Sequence, residues 1–253
     1  MSALASLPMY DWDELRGPTD RYWALIRDGL RTRGIDAPMD LNRGDPWAGW
    51  LNPALILSQT CGFPYRTALH GKVTLVGTPD FGLPDAKPGY YYSQLVVRAD
   101  AQGDWTAFLD RTLAINDYDS QSGWAAPQNH AAPLNRRFDK ILVTGAHVAS
   151  AAAVADGLAD IAAIDALTWR LIAAYRPEVA KRLRIVARTE ATPGLPLITS
   201  QGRDRQAIAA AVADAIGALP AADRAALGLI GLAQIPAETY LAVPTPAGPC
   251  QAG

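Results

Sequence analysis

The sequence predicts an α/β protein with mostly parallel sheets flanked by helices, arranged in two lobes joined by two extended crossings. Three observations carry this. Apolar runs of strand length alternate with stretches whose apolar residues recur at helical spacing, and no Asn-Gly pair marks a hairpin, so βαβ units are expected. Two long extended segments, residues 90–98 and 183–189, each lead from one series of such units to the next. The chain of 253 residues is 49% hydrophobic, ample for one large domain or two lobes.

Taken in order, residues 3–9 read as a first strand that gives way to loop at Tyr10. A helix follows Gly17-Pro18 with Tyr22, Leu25, Ile26 and Leu30 on one face, and Gly34 ends it. A weak strand at 37–41 and a short helix at 47–51 precede a better strand at 54–58, which ends in the polar, small residues Gln59-Thr60-Cys61-Gly62. A helix at 65–69 and a strand at 73–77 complete the first series. The second series places strands at 113–115, 141–144 and 160–164. After the return crossing come a strand at 197–199, an Ala-rich helix at 205–219, a shorter helix at 221–227 and an irregular Pro-rich tail. The expected division is residues 1–93 and 190–253 in lobe 1 and 94–189 in lobe 2.

Composition excludes several classes of function. A formal net charge of −2 and an isoelectric point near 5.9, with no basic stretch interleaved with aromatics, give no footprint for nucleic acid. No apolar stretch approaches bilayer length. Cys61 and Cys250 form no CxxC pair, so neither zinc nor a redox motif is expected, and each reads as a free thiol with Cys61 buried. No cofactor or metal is expected. Residues 1–10 lack a basic region followed by a long apolar one, so the chain reads as cytoplasmic or as one whose export signal has been removed.

In open α/β sheets ligands bind beyond the carboxyl ends of strands, so the residues just after each apolar run are the informative ones. Thr112-Leu113-Ala114-Ile115 leads into Asn116-Asp117-Tyr118-Asp119-Ser120-Gln121-Ser122-Gly123 and then a helix start. First-turn amides without intrahelical partners suit an anion there, and Ser120 and Ser122 add two hydroxyl donors. The same residues also serve an ordinary capped helix. By the same rule Tyr10, Thr60, His147 and Asp165 each follow a strand. His147 could donate to an oxyanion or simply sit at a helix entry; Asp165 could line the site or cap the helix after it. Tyr92, in the run Tyr90-Tyr91-Tyr92, could face a cleft or pack. Trp47 and Trp50, one helical turn apart, read as core; His70 and His130 read as surface residues. Cys61 has no partner for catalysis, and the carboxylates show no paired acid/base signature.

Two blocks then carry a family resemblance. Leu-Ala-Ile-Asn-Asp-Tyr-Asp-Ser-Gln-Ser-Gly at 113–123 resembles a strand followed by an S-[TS]-S-G anion turn. Val-Thr-Gly-Ala-His-Val-Ala-Ser at 143–150, continuing through 153–165, resembles a G-x-H-x-A-S…A-V-x-x-G-x-A-D-x-A stretch. Both are features of the phosphonate/phosphite/phosphate-type substrate-binding proteins of ABC transporters, which have the type II periplasmic-binding-protein fold. The likeness extends over most of the chain, but only these blocks are specific. It implies a periplasmic receptor for a small oxyanion, a monomer, with a transporter permease as partner. Ser120, Gln121, Ser122 and His147 would hold the oxyanion, while Tyr10, Thr60 and Tyr92 would close on it. Closure would be absorbed at residues 92–98 and 186–189. Gln121 stands where the family usually has a hydroxyl, which removes one small donor. Asp165 in the cleft would favour a ligand carrying a proton or ammonium. The alternative is a cytoplasmic enzyme or a sensor on the same fold, akin to menaquinone-pathway or thiamine-pyrimidine proteins.

Overall fold

The structure is a computed structural model that describes residues 3–248; Cys250 lies outside them. The chain opens with β1 (Leu4–Ser6) and α1 (Arg16–Thr32), whose buried face is Tyr22, Trp23, Ile26 and Leu30, and Gly34 at φ +75° closes that helix. Residues 37–41 form no strand. Ala37 and Leu41 are buried, but the Ala37 carbonyl is satisfied by the Arg31 guanidinium at 2.7 Å rather than by a neighbouring strand. Next come α2 (Pro46–Trp50), capped by Asp45, then β2 (Leu55–Gln59), α3 (Gly62–Pro64) with a π-helical turn Tyr65–Leu69, and β3 (Val73–Asp80).

After β4 (Tyr90–Tyr91) the chain runs through β5 (Ser93–Arg98), β6 (Leu113–Ile115), a π-helical turn Gln121–Ala125 continuing into α4 (Ala126–Ala131), β7 (Ile141–Val143) and α5 (His147–Ala155). Then follow β8 (Ile161–Asp165), α6 (Ala166–Tyr175), α7 (Pro177–Ala180), β9 (Leu183–Arg188) and β10 (Thr192–Pro193). The last elements are β11 (Leu197–Ser200), α8 (Arg205–Ala218), α9 (Ala221–Leu227), β12 (Gly231–Ala233) and α10 (Ala237–Leu241). Among the described residues no helix is long and apolar enough to cross a membrane.

The contacts divide the chain into two units. The first comprises residues 3–90 and Pro193–Leu241, the second Tyr91–Thr192 with residues 242–248. The tail was expected with the first unit; instead Asn129 donates to the Pro244 carbonyl at 2.9 Å and Arg137 to that of Gly248 at 3.3 Å.

In the first unit the sheet order is β1-β2-β11-β3-β12. β1, β2 and β3 run one way, whereas β11, inserted between β2 and β3, and the edge strand β12 run the other. Every residue of β2 is buried, as befits a strand covered on both faces. One cluster of its core joins Trp50, Leu55, Tyr65, Leu69, Val73, Ile198 and Tyr240, each worth roughly 1.5–3 kcal/mol of burial for the larger side chains. On α1, Arg21 reaches Asp223 of α9 through two hydrogen bonds of 2.7 and 2.6 Å.

In the second unit the order is β7-β6-β8-β5-β9, with β6, β7, β8 and β9 aligned and only β5 reversed. This corrects the expected crossings. β5 and β9 pair along their length inside this sheet, and Leu95, Val96 and Val97 are wholly buried, so Ser93–Arg98 and Leu183–Arg188 are sheet strands rather than connections between units. The chain passes between units at β4 and β10, which form a two-stranded sheet of their own, and again after Leu241. Beside it Gly194 N–H donates to the Gly89 carbonyl at 2.8 Å; a Cβ on Gly194 would lie 2.7 Å from that oxygen, and Gly89 adopts φ +76°. Only glycines permit this approach.

Candidate anion-binding site

β6, β7 and β8 are parallel neighbours, so their carboxyl ends open at one edge of the second unit's sheet. That edge collects Asn116–Gly123 after β6, Thr144–His147 after β7, and Asp165 at the end of β8. Thr144 fixes the middle loop: its hydroxyl lies 2.9 Å from the Ile115 carbonyl and 2.7 Å from Ser150 Oγ.

The turn after β6 is built around Ser120, Ser122 and Gly123. Ser120 caps the helix, its Oγ accepting from Gly123 N–H at 2.9 Å, and Ser93 Oγ donates to the Ser122 carbonyl at 2.9 Å. A Cβ at position 123 would stand 1.9 Å from Asn116 Oδ1, so any other residue there must displace the Asn116 side chain. Trp124, 1% exposed, packs edge-on to Tyr118 at 5.0 Å and seats the turn from below. The widened π turn, with Ala125 N–H reaching back to the Ser120 carbonyl at 3.0 Å, precedes Pro127. Proline has no N–H to give Gly123 and its ring crowds that carbonyl, which favours the wider turn.

His147 opens α5. Its Nε2 lies 2.7 Å from Ser122 Oγ and 3.5 Å from Asp165 Oδ2, while Nδ1 is buried without a hydrogen-bond partner of good geometry. Burial pushes the ring's pKa below its ordinary value; the Asp165 carboxylate and the nearby Ala163 carbonyl oppose this only in part, so the imidazole is neutral near pH 7. Asp165 resolves the two readings left open for it: Oδ1 caps α6 by accepting from Leu167 and Thr168 N–H at 3.1 and 2.9 Å, and Oδ2 faces the imidazole. Ser122 and Asp165 therefore meet the same ring nitrogen. A nucleophilic serine would need the acid on the opposite nitrogen, so these three groups do not form a hydrolytic triad.

Ser120, Gln121, Ser122, His147 and Asp165 thus lie at one sheet edge, and all but His147 are buried outright. Tyr92, also buried, has the Arg188 guanidinium over its ring at 4.6 Å and packs rather than standing open. In the first unit, Tyr10 holds the left-handed φ of +62° and stacks edge-on with Phe81 at 5.5 Å; Thr60 is fully buried with its Oγ1 unpartnered. The sequence reading missed Asn116, Ser93 and Thr144, which shape the turn. Asn116 alone carried a signal, standing directly after the strand. Cys61 is only half-buried, and Trp47 is 36% exposed beside a buried Trp50. His70 is exposed as read, but His130 is half-buried against Trp105 at 4.4 Å.

Comparison with known proteins gives this edge its context. Residues 58–237 match the family model described as ABC transporter, phosphonate, periplasmic substrate-binding protein. No curated protein sequence matches the chain. Among solved structures, it is similar to PhnD1 of Prochlorococcus marinus in complex with methylphosphonate, with 13% identity over 94% of each chain and a TM-score of 0.71. It is similar to the binding-protein component of an ABC phosphonate transporter, PA3383 of Pseudomonas aeruginosa, with 16% identity, 94% and 82% coverage and a TM-score of 0.68. XAC2383 of Xanthomonas citri bound to ATP matches with 16% identity, 94% and 93% coverage and a TM-score of 0.69. These likenesses are of fold, a mixed α/β architecture of two lobes. With the family model spanning most of its length, the chain belongs to the periplasmic phosphonate substrate-binding proteins of ABC transporters.

Proposed function

We propose that the second unit's sheet edge binds the oxyanion group of a phosphonate, phosphite or phosphate, and that the protein delivers this ligand to an ABC transporter permease at the periplasmic face. The observation that carries the reading is the 2.7 Å contact between Ser122 Oγ and His147 Nε2 beside the first-turn amides. The Asp165 carboxylate favours the ring proton on Nε2. In that tautomer the imidazole donates to Ser122 Oγ, and the serine's own proton is free to donate to an anion. Ser120 Oγ lies 3.4 Å from Ser122 Oγ, so its own O–H, which the cap does not use, turns either to Ser122 or to the anion. No cationic side chain is needed: each hydrogen bond to a charged group contributes about 1.5–3 kcal/mol.

Thr60 of the first unit, a buried hydroxyl lacking a partner, is a further candidate ligand group on its own evidence. Asp165 adds selectivity, disfavouring a fully ionised ligand relative to one that retains a proton or carries an ammonium. Asp165→Asn keeps the cap and should narrow that preference; an unchanged ranking would remove this part of the reading.

Calorimetry with methylphosphonate, phosphite and phosphate tests the main claim. Ser122→Ala should weaken binding tenfold or more, the loss of one charged hydrogen bond, with the fold intact. Wild-type affinity in both Ser122→Ala and His147→Gln would overturn the site. Phosphorus NMR of the same mixtures separates receptor from enzyme, because a receptor returns the ligand unchanged.

A further inference from the structure

Asn116 stands between the two loops that form the anion-binding edge of the second unit. Its main-chain carbonyl accepts from Gly145 N–H at 3.0 Å, just ahead of His147, and its side chain lies against Gly123 on the turn after β6. Oδ1 faces inward: it is buried, has no hydrogen-bond partner among the described residues, and lies 1.9 Å from where a Cβ on Gly123 would be. Nδ2, at the other corner of the same planar amide, also makes no hydrogen bond among the described residues, yet it is not sealed from solvent.

That orientation has a physical cause. The turn that Ser120 caps carries the partial positive charge of N–H groups at a helix start, which attracts the amide oxygen and repels the NH2 group. The oxygen therefore points into the turn and the donor points out. Leaving Oδ1 without a donor costs about 1–3 kcal/mol, and a hydrogen bond from Nδ2 to a charged group offsets about as much. Buried polar groups ordinarily find partners, so an amide held half-satisfied beside Ser122 and His147 points to a bound acceptor.

An anionic phosphoryl group offers three acceptor oxygens. Ser122 and Ser120 bring at most one hydroxyl proton each, and that of Ser120 also has Ser122 within reach. We propose that Asn116 is a further ligand-binding residue of this edge, its Nδ2 donating to a second oxygen of the oxyanion that Ser122 holds. The inference rests on the reading of this edge as an oxyanion site and adds a residue to it. It also gives asparagine there a role that aspartate, of the same shape, cannot fill, because a carboxylate would present like charge to the ligand.

The test uses the full chain with methylphosphonate as probe, and reads calorimetric affinity and thermal midpoint on the same samples. Asn116→Ala, which removes the donor, should weaken binding tenfold or more, and Asn116→Asp, which keeps the shape but replaces NH2 by a charged oxygen, about a hundredfold or more. A double variant separates ligand contact from support of the turn. Gly123→Ala sets a methyl against Asn116 Oδ1 and should lower both midpoint and affinity. Adding Asn116→Ala removes that clash, so the pair should regain the lost midpoint yet still bind at least tenfold more weakly than wild type. The proposal is overturned if either single Asn116 variant binds within about threefold of wild type, or if the double variant recovers wild-type affinity along with its midpoint. Ser122→Ala runs as the control. Weakened binding there, with wild-type affinity in both Asn116 variants, removes Asn116 alone; no heat with the wild-type chain removes the oxyanion reading and this inference with it.

Discussion

Ser122 Oγ can accept from His147 and donate to an anion at once only while the imidazole carries its proton on Nε2. The neutral ring also has a consequence for stability. Burial lowers the folded-state pKa of His147, and of His130, below the value of about 6.5 expected in the unfolded chain. The unfolded chain therefore takes up protons that the native state excludes, so this contribution is complete above pH 6.5 and is lost as pH falls through that value. Urea denaturation between pH 7.5 and 5 should show falling stability, with a shallower slope in His147→Gln; equal slopes would contradict the assignment. At position 123 any side chain meets Asn116. Gly123→Ala places a methyl against Asn116 Oδ1 and should cost about 1–3 kcal/mol by forcing the turn open, with methylphosphonate affinity falling in parallel. Thr60→Val tests the opposite case. Since Thr60 Oγ1 has no partner to lose, the variant should be as stable as wild type or more so, even where ligand affinity drops.

Elements were legible where side-chain pattern and length agreed. α1 shows its buried stripe in Tyr22, Trp23, Ile26 and Leu30, and β2, β6 and β8 are apolar runs ending in polar residues, as strands that point into a site must be. α8 was equally plain, and its cap can be weighed: Asp204 Oδ1 accepts from Gln206 and Ala207 N–H at 3.0 Å each, so Asp204→Ala should cost about 1 kcal/mol in chemical denaturation. β12 and α10 were missed because Gly231–Ala233 and Ala237–Leu241 are too short to show a period. β5 was read as a crossing for a different reason. An extended apolar run such as Leu95-Val96-Val97 looks alike whether it spans a gap or fills a sheet interior, and only its partners β8 and β9 decide. The turn itself was visible in Ser120-Gln121-Ser122-Gly123. Its meeting with His147 came from parallel strand ends, which no single window of sequence displays.

At the scale of the whole molecule, binding and folding are linked. A ligand that the native state alone holds adds about 2.7 kcal/mol at a hundredfold excess over Kd, so methylphosphonate should raise the thermal midpoint of wild type and raise that of Ser122→Ala distinctly less. Calorimetric scans over a ligand series check this directly. The paired passages β4 and β10 carry a separate implication. They bring residue 90 and residue 193 side by side, so everything from Tyr91 to Thr192 is, in chain terms, an insert whose ends nearly touch. Joining Gly89 to Gly194 through a short turn, with the chain ended at Leu241 because the tail beyond it packs on the insert, should leave the first unit's five-stranded sheet uninterrupted and ready to be grafted with another module.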